Sequence, residues 1–123
     1  MVITSLEKEE QHTLKGSRLS FLTQAGLALA NNQDHTAIEF IWNYRATIPK
    51  DHDATRELNE SWDKTKQEAT HRYGSEAKKY QGDYLGQQDF TEKVVPEIEH
   101  DATRRYLDAC WEVALKYQLI PSE

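Results

Sequence analysis

The chain is poor in the residues that usually betray a chemistry. Of its 123 residues, one is cysteine, one methionine, three proline and five glycine. A lone cysteine, Cys110, excludes an internal disulfide framework and fits a reducing compartment. It lies on an apolar helical face and reads as a small buried hydrophobe. No apolar run approaches the roughly 18 residues that span a bilayer, so no membrane association is expected. The first residues carry neither the basic nor the apolar region of a secretion signal, and the expected location is the cytoplasm. A phosphate-cradling glycine loop and a Gly-x-Ser-x-Gly elbow are both missing, and no Cys/His pair stands in a suggestive setting. Nucleophilic catalysis is left without a signature, and no cofactor is expected. No segment alternates with period two, so no sheet is expected either.

Acids outnumber bases by 21 to 15, for a net charge of −6. Nucleic-acid binding, which draws most of its affinity from neutralising phosphates, is therefore not expected. Hydrophobic residues make up 37% and charged residues 29%, which makes for one domain with a thin core. Three tryptophans and six tyrosines stand out against that lean background. Such side chains bury a large area while keeping a polar tip, and they are enriched at interfaces.

What the chain has is helical periodicity. Ile98, Ala102, Tyr106, Ala109, Cys110, Val113, Ala114 and Tyr117 recur at steps of three and four, with Leu107 and Trp111 widening the stripe. Pro96 suits a first-turn position, and Glu97, Glu99 and Asp101 suit the positive end of the dipole. A helix over residues 96–119 follows, stopped by Ile120 and Pro121. Ser5 can cap a first helix that becomes densely apolar from Leu19 to Ala30, with a break possible at Gly16. The polar run Asn31-Asn32-Gln33-Asp34 is a turn. A second helix occupies 35–48, ended by Pro49. Asp51 or Asp53 caps a third, which reaches Tyr80 with a kink at Gly74-Ser75. Its apolar stripe is narrow: Ala54, Leu58, Trp62, Thr65, Ala69, Tyr73, Ala77 and Tyr80. Residues 82–86 read as a loop and 87–93 as a polar approach to the last helix. The fold class is all-α, a small four-helix bundle with a long, kinked third helix. The string His52-Asp53-Ala54-Thr55-Arg56 recurs as His100-Asp101-Ala102-Thr103-Arg104 and raises the question of an internal duplication.

Two constellations suggest specific chemistry. Glu-x-x-His occurs three times, at Glu9/His12, Glu68/His71 and Glu97/His100. With Glu39 as an extra carboxylate, Glu68, His71, Glu97 and His100 have the residue types of a metal site in a helical bundle. Orientation opposes it, because Glu97 lies about 100° and His100 about 200° from the core line through Ile98. The other is His12-Thr13-Leu14-Lys15-Gly16-Ser17, which resembles the phosphohistidine motif of histidine phosphotransfer domains, small helical bundles of about this size. The resemblance covers six residues. It implies His12 as phospho-acceptor, Lys15 as phosphate stabiliser and Gly16 as clearance for an approaching receiver.

The remaining signal is aromatic. Trp62, Tyr73 and Tyr80 along the third helix, with Tyr84 and Phe90 after it, form a candidate partner-binding surface. A helix this polar needs something to dock on. The sequence points to a non-enzymatic helical protein that binds another protein as an inhibitor, immunity-type protein, adaptor or regulatory factor, and a homodimer is an alternative use of the same surface.

Overall fold

The computed structural model describes the backbone of residues 5–80 and 84–121, and the side chains of 12–80 and 85–121. Its elements are α1 (Ser5–Ala30), α2 (Asp34–Ala46), α3 (Asp53–Ala77), a 3₁₀ turn (Lys78–Tyr80), α4 (Tyr84–Asp89), a π-helical turn (Phe90–Val94) and α5 (Val95–Lys116). The last three run on without a break, so four helical rods make an all-α bundle. No strand occurs among the described residues, and no helix among them is long and apolar enough to cross a membrane.

The backbone of α1 passes through Gly16 unbroken. It ends at Asn32, whose φ of 58° is left-handed. The amide of Gln33 reaches back to the Ala28 carbonyl at 2.8 Å and that of Asn32 to Leu29 at 3.0 Å. This is the double bond of a Schellman stop, at a residue type that tolerates the conformation. The end of α5 repeats the device with Gln118 (φ 54°) and a 2.9 Å bond from the Leu119 amide to the Ala114 carbonyl. The helix therefore ends three residues earlier than its apolar pattern suggests, while Leu119 and Ile120 fold back into the core.

Two sequence expectations, the cap of α3 and the loop at 84–93, are corrected. The cap of α3 is neither Asp51 nor Asp53 but His52, whose Nδ1 accepts the Ala54 amide at 2.9 Å. The α-helical backbone runs through Gly74 and Ser75, and the irregularity comes later, in the 3₁₀ turn. Residues 84–93, expected as loop and approach, are helical, while Gly82 and Asp83 lie outside the described residues, as does the side chain of Ser5. The reason for the misreading is Pro96. It lacks an amide and its ring crowds the carbonyl four residues back, so the preceding turn cannot stay α-helical. Here it widens instead of stopping, and the Val95 amide bonds to the Phe90 carbonyl five residues back. The repeated His-Asp-Ala-Thr-Arg string lands in unlike places, a helix cap at 52–56 and a helix interior at 100–104.

α5 is the axis of the bundle. It runs antiparallel to α1 and α3 and parallel to α2, and it contributes Ile98, Tyr106, Leu107, Cys110, Val113 and Ala114 to the core. Leu22 and Ala25 of α1, Ile41 and Tyr44 of α2, and Ala54 and Leu58 of α3 fill the other sides. Both fully buried tyrosines find partners, Tyr44 donating to the Cys110 carbonyl (3.3 Å) and Tyr106 to the Leu58 carbonyl (3.2 Å).

Arg18 is the one buried charged residue among those described. Its Nε donates to Thr47 Oγ1 (2.9 Å), one terminal nitrogen to the Thr47 carbonyl (2.9 Å) and the other to the Leu119 carbonyl (3.2 Å). Thr47 caps the C-terminal end of α2, where a helix leaves acceptors unsatisfied and carries partial negative charge, and Leu119 belongs to the segment that folds back into the core just beyond α5. Burial pulls the Arg18 pKa below its ordinary value, yet a guanidinium remains charged in a protein.

Replacing Arg18 by Met is expected to cost about 2–4 kcal/mol, because it strands the buried Leu119 carbonyl and the part-buried Thr47 acceptors at the end of α2. Arg18→Lys should recover little, since one ammonium does not span three oxygens in a fork. Urea denaturation measures both, and an Arg18→Met variant within about 0.5 kcal/mol of the parent would contradict the assignment.

Desolvation pushes the Cys110 thiol up to about 12 from near 9, and it also raises Tyr44 and Tyr106 above their ordinary 10. In alkali the unfolded chain loses these protons before the folded one does, so stability falls as pH rises. Asp101, held down first by its hydrogen bond to Arg104, and Glu57, held down first by Lys116, act in the opposite direction, below about pH 4. Stability should therefore be level between these limits, and native Cys110 should resist a thiol reagent at pH 8. Rapid labelling without unfolding would contradict its burial.

Candidate functional site

α2 and α3 touch at one end and part at the other. They meet where Trp42 packs edge-on to Trp62 (5.5 Å between centroids, 79°) and Arg45 donates to Asn59. Tyr106 of α5 lies under both indoles, at 4.9 Å from Trp62 and 6.4 Å from Trp42. Past this knot the two helices go separate ways. The first residue of α2, Asp34, is drawn to α5 by a 2.7 Å bond with His100 Nδ1. α3 keeps to the other side of α5, held by Arg72 to Glu97 (3.2 Å) and Asp101 (3.4 Å) and by Arg105 to Glu68 (3.3 Å).

The gap between them is a groove of about 740 Å³. Its floor is small, made of Thr65 and Ala69 from α3 and Ala102 and Thr103 from α5, with Ile98 beside them. Trp62 and Tyr73 stand at opposite ends of the α3 wall, and Ile38 forms the α2 wall. The rim is polar, with Asp34, His35 and Glu99 on one side and Lys66 and Thr70 on the other. Asp34 sits favourably at the positive end of α2. Lys66 Nζ lies 5.8 Å from the centre of the Trp62 ring and 3.5 Å from Asp63. A largely apolar concavity of this size with a few polar groups at its edge is the usual form of a binding site.

Behind Tyr73 the groove is backed by the π-helical turn. Phe90 is buried there, edge-on to Tyr73 at 5.1 Å and tilted on Tyr80 at 5.6 Å. Of the five aromatic residues expected to bind a partner, Trp62 and Tyr73 line the groove. Phe90 and Tyr80 support it from behind, and the side chain of Tyr84 lies outside the described residues. Asp34, Ile38, Ala69, Glu99 and Ala102 escaped the sequence reading. The available signal was α2's near-continuous Ile38, Phe40, Ile41 and Trp42, too wide for a helix with one buried face.

The other candidates are not brought together. Among the described residues no three His, Cys, Asp or Glu side chains converge as a metal site. Glu68 and Glu97 are engaged by arginines and His100 by Asp34, while Glu39 and His71 are exposed on different helices. Glu9, partner of the remaining Glu-x-x-His pair, has its side chain outside the described residues. Asp34 and His100 form a carboxylate–imidazole pair, but no described hydroxyl or thiol is hydrogen-bonded to that imidazole. The Thr103 hydroxyl donates to the Glu99 carbonyl instead (2.9 Å). Among the described residues that line the groove, no nucleophile and base are hydrogen-bonded to one another.

His12 is exposed near the start of α1, Lys15 is half-buried one turn on, and Gly16 is exposed. A Cβ built on Gly16 meets nothing within 4 Å. No family model, curated protein or solved structure matches the chain.

Because Gly16 has open space around it, Gly16→Ala is expected to stabilise the protein by about 0.5–1 kcal/mol, the ordinary gain at a helix interior. A lowered melting temperature would show that the glycine is needed within the fold itself.

Proposed function

We propose that this is a non-enzymatic protein whose work is to bind another protein, and that the groove between α2 and α3 is where it does so. The observation that carries this reading is the parting of the two helices beyond Trp42 and Trp62. It leaves Ile38, Tyr73 and the small floor residues facing an open trough. Exposed apolar concavities rimmed by polar groups mark interaction sites. The acidic balance and the single buried thiol fit a soluble regulatory or inhibitory role in the reducing cytoplasm.

A photo-crosslinking residue placed at the exposed rim position Thr70, in the full chain expressed in its own cells, tests the proposal. A defined adduct to one other polypeptide is expected at Thr70, and none from the same residue placed at Glu112 on the far part of α5. Adducts of the chain to itself would assign the groove to a homodimer seam. Equal adducts at both positions would remove the groove reading.

A second reading, phosphotransfer through His12, is favoured by one observation. The missing side chain at Gly16 clears space outside the chain, beside His12 and Lys15, while inside the fold it serves no contact. An exposed imidazole with a cation one turn away has the elements of a phospho-acceptor. This reading expects acid-labile phosphate on the protein after mixing with a phosphorylated receiver, and its loss in His12→Gln. Transfer that persists in the variant would dismiss His12.

A further inference from the structure

Resting on the binding role proposed above, we infer that the occupant of the groove is an amphipathic α-helix of a partner protein, with a cationic flank facing Glu99 and Asp34. Three features of the trough lead there.

Its length comes first. The α3 wall runs from Trp62 to Gly74, which at 1.5 Å per residue is about 18 Å, or three turns of a helix laid alongside. A compact small molecule would fill only a part of that length.

The floor comes next. Thr65, Ala69, Ala102 and Thr103 are small. Small side chains allow another backbone to come close, as they do wherever helices pack tightly. Larger apolar groups stand at the ends, Trp62 and Tyr73, on the α2 wall, Ile38, and beside the floor, Ile98. An incoming helix would set apolar residues at i, i+3 or i+4, and i+7 between these posts, the usual reading of a helix in a groove.

Charge comes last and sets the flank. On the α2–α5 rim stand two carboxylates, Asp34 and Glu99. Asp34 is bonded to His100, whereas Glu99 has no ion-pair partner among the described residues. On the α3 rim the one cation, Lys66, is already paired with Asp63. The chain as a whole carries −6. Complementary charge on an arriving helix is therefore positive along the edge that meets α5, which speeds encounter and fixes register.

The test uses the full chain and two synthetic helical peptides of about 14 residues, enough for four turns. Both carry leucines on one face, and they differ only in having lysine or glutamate along one flank. Binding is measured by calorimetry and mapped by amide shifts in NMR. The lysine peptide is expected to bind with a micromolar Kd and to shift the amides of Thr65, Ala69 and Ala102. The glutamate peptide is expected to bind at least about tenfold more weakly. Glu99→Lys, at an exposed position, should narrow or reverse that preference, and Thr70→Trp should weaken both peptides by partly filling the trough. Equal affinity for the two peptides, unchanged in Glu99→Lys, would overturn the charged flank. If neither peptide shifts the groove while the Thr70 crosslink still yields a partner, the helical occupant is wrong and the binding role stands. If the peptides and the crosslink both fail, the binding role falls as well.

Discussion

A single guanidinium holds one end of this bundle together. Arg18 projects from α1 to where α2 ends and the chain beyond α5 folds back, and it donates to the Thr47 and Leu119 carbonyls. Helix ends are the places where a fold must find partners for backbone acceptors. Most proteins meet that need with local caps or water. Here a side chain about a hundred residues away from Leu119 in sequence does it from another helix. The cost is desolvation of a charge with no ion-pair partner among the described residues, offset by three hydrogen bonds and the dipole of α2. The arrangement sets where α1, α2 and α5 stand relative to one another.

The opposite end has no such clasp. α3 has its firm contacts in its first half, through Ala54, Leu58 and the Trp42–Trp62–Tyr106 knot. Beyond Trp62 it leans on α5 and, through Tyr73, on Phe90 of the π-helical turn. On one face of that seam the exposed pairs Arg72–Glu97, Arg72–Asp101 and Arg105–Glu68 fix register. Pairs as exposed as these add little stability individually. On the other face nothing among the described residues covers the seam, and the groove is the result. The thin core and the open groove are thus one fact seen from two sides: the apolar residues left over after the Arg18 end is built are too few to close the other.

The helices were legible because periodicity and turn chemistry agree. The stripe of α5 is the buried one, and Asn31-Asn32 closes α1 as its composition suggests. The errors have physical causes. Polar composition at 84–93 concealed a helix because Phe90 is its one buried residue among those described, and Pro96 widened that helix where a stop was expected. Gln118 in a left-handed conformation ended α5 early, and no residue preference announces that. The groove was half visible. Trp62 and Tyr73 stood out as aromatics with little apolar company, but Asp34, Glu99 and Ala102 belong to the site only because α2 and α3 diverge, and divergence of helices is a tertiary fact. Arg18 was hidden for a related reason, since nothing local distinguishes a clasping arginine from a solvated one.

The account's central claim is that α3 is held by both α2 and α5 in its first half and on one face only in its second. Native-state hydrogen exchange, read amide by amide along α3, tests it most directly. The amides around Leu58 are expected to exchange only through global unfolding. Those from Lys66 to Ala77 should exchange through a smaller opening of distinctly lower free energy. Protection that is uniform from Leu58 to Ala77 would contradict the claim, because it would mean that α3 is held along its whole length and that the groove is a closed part of the core.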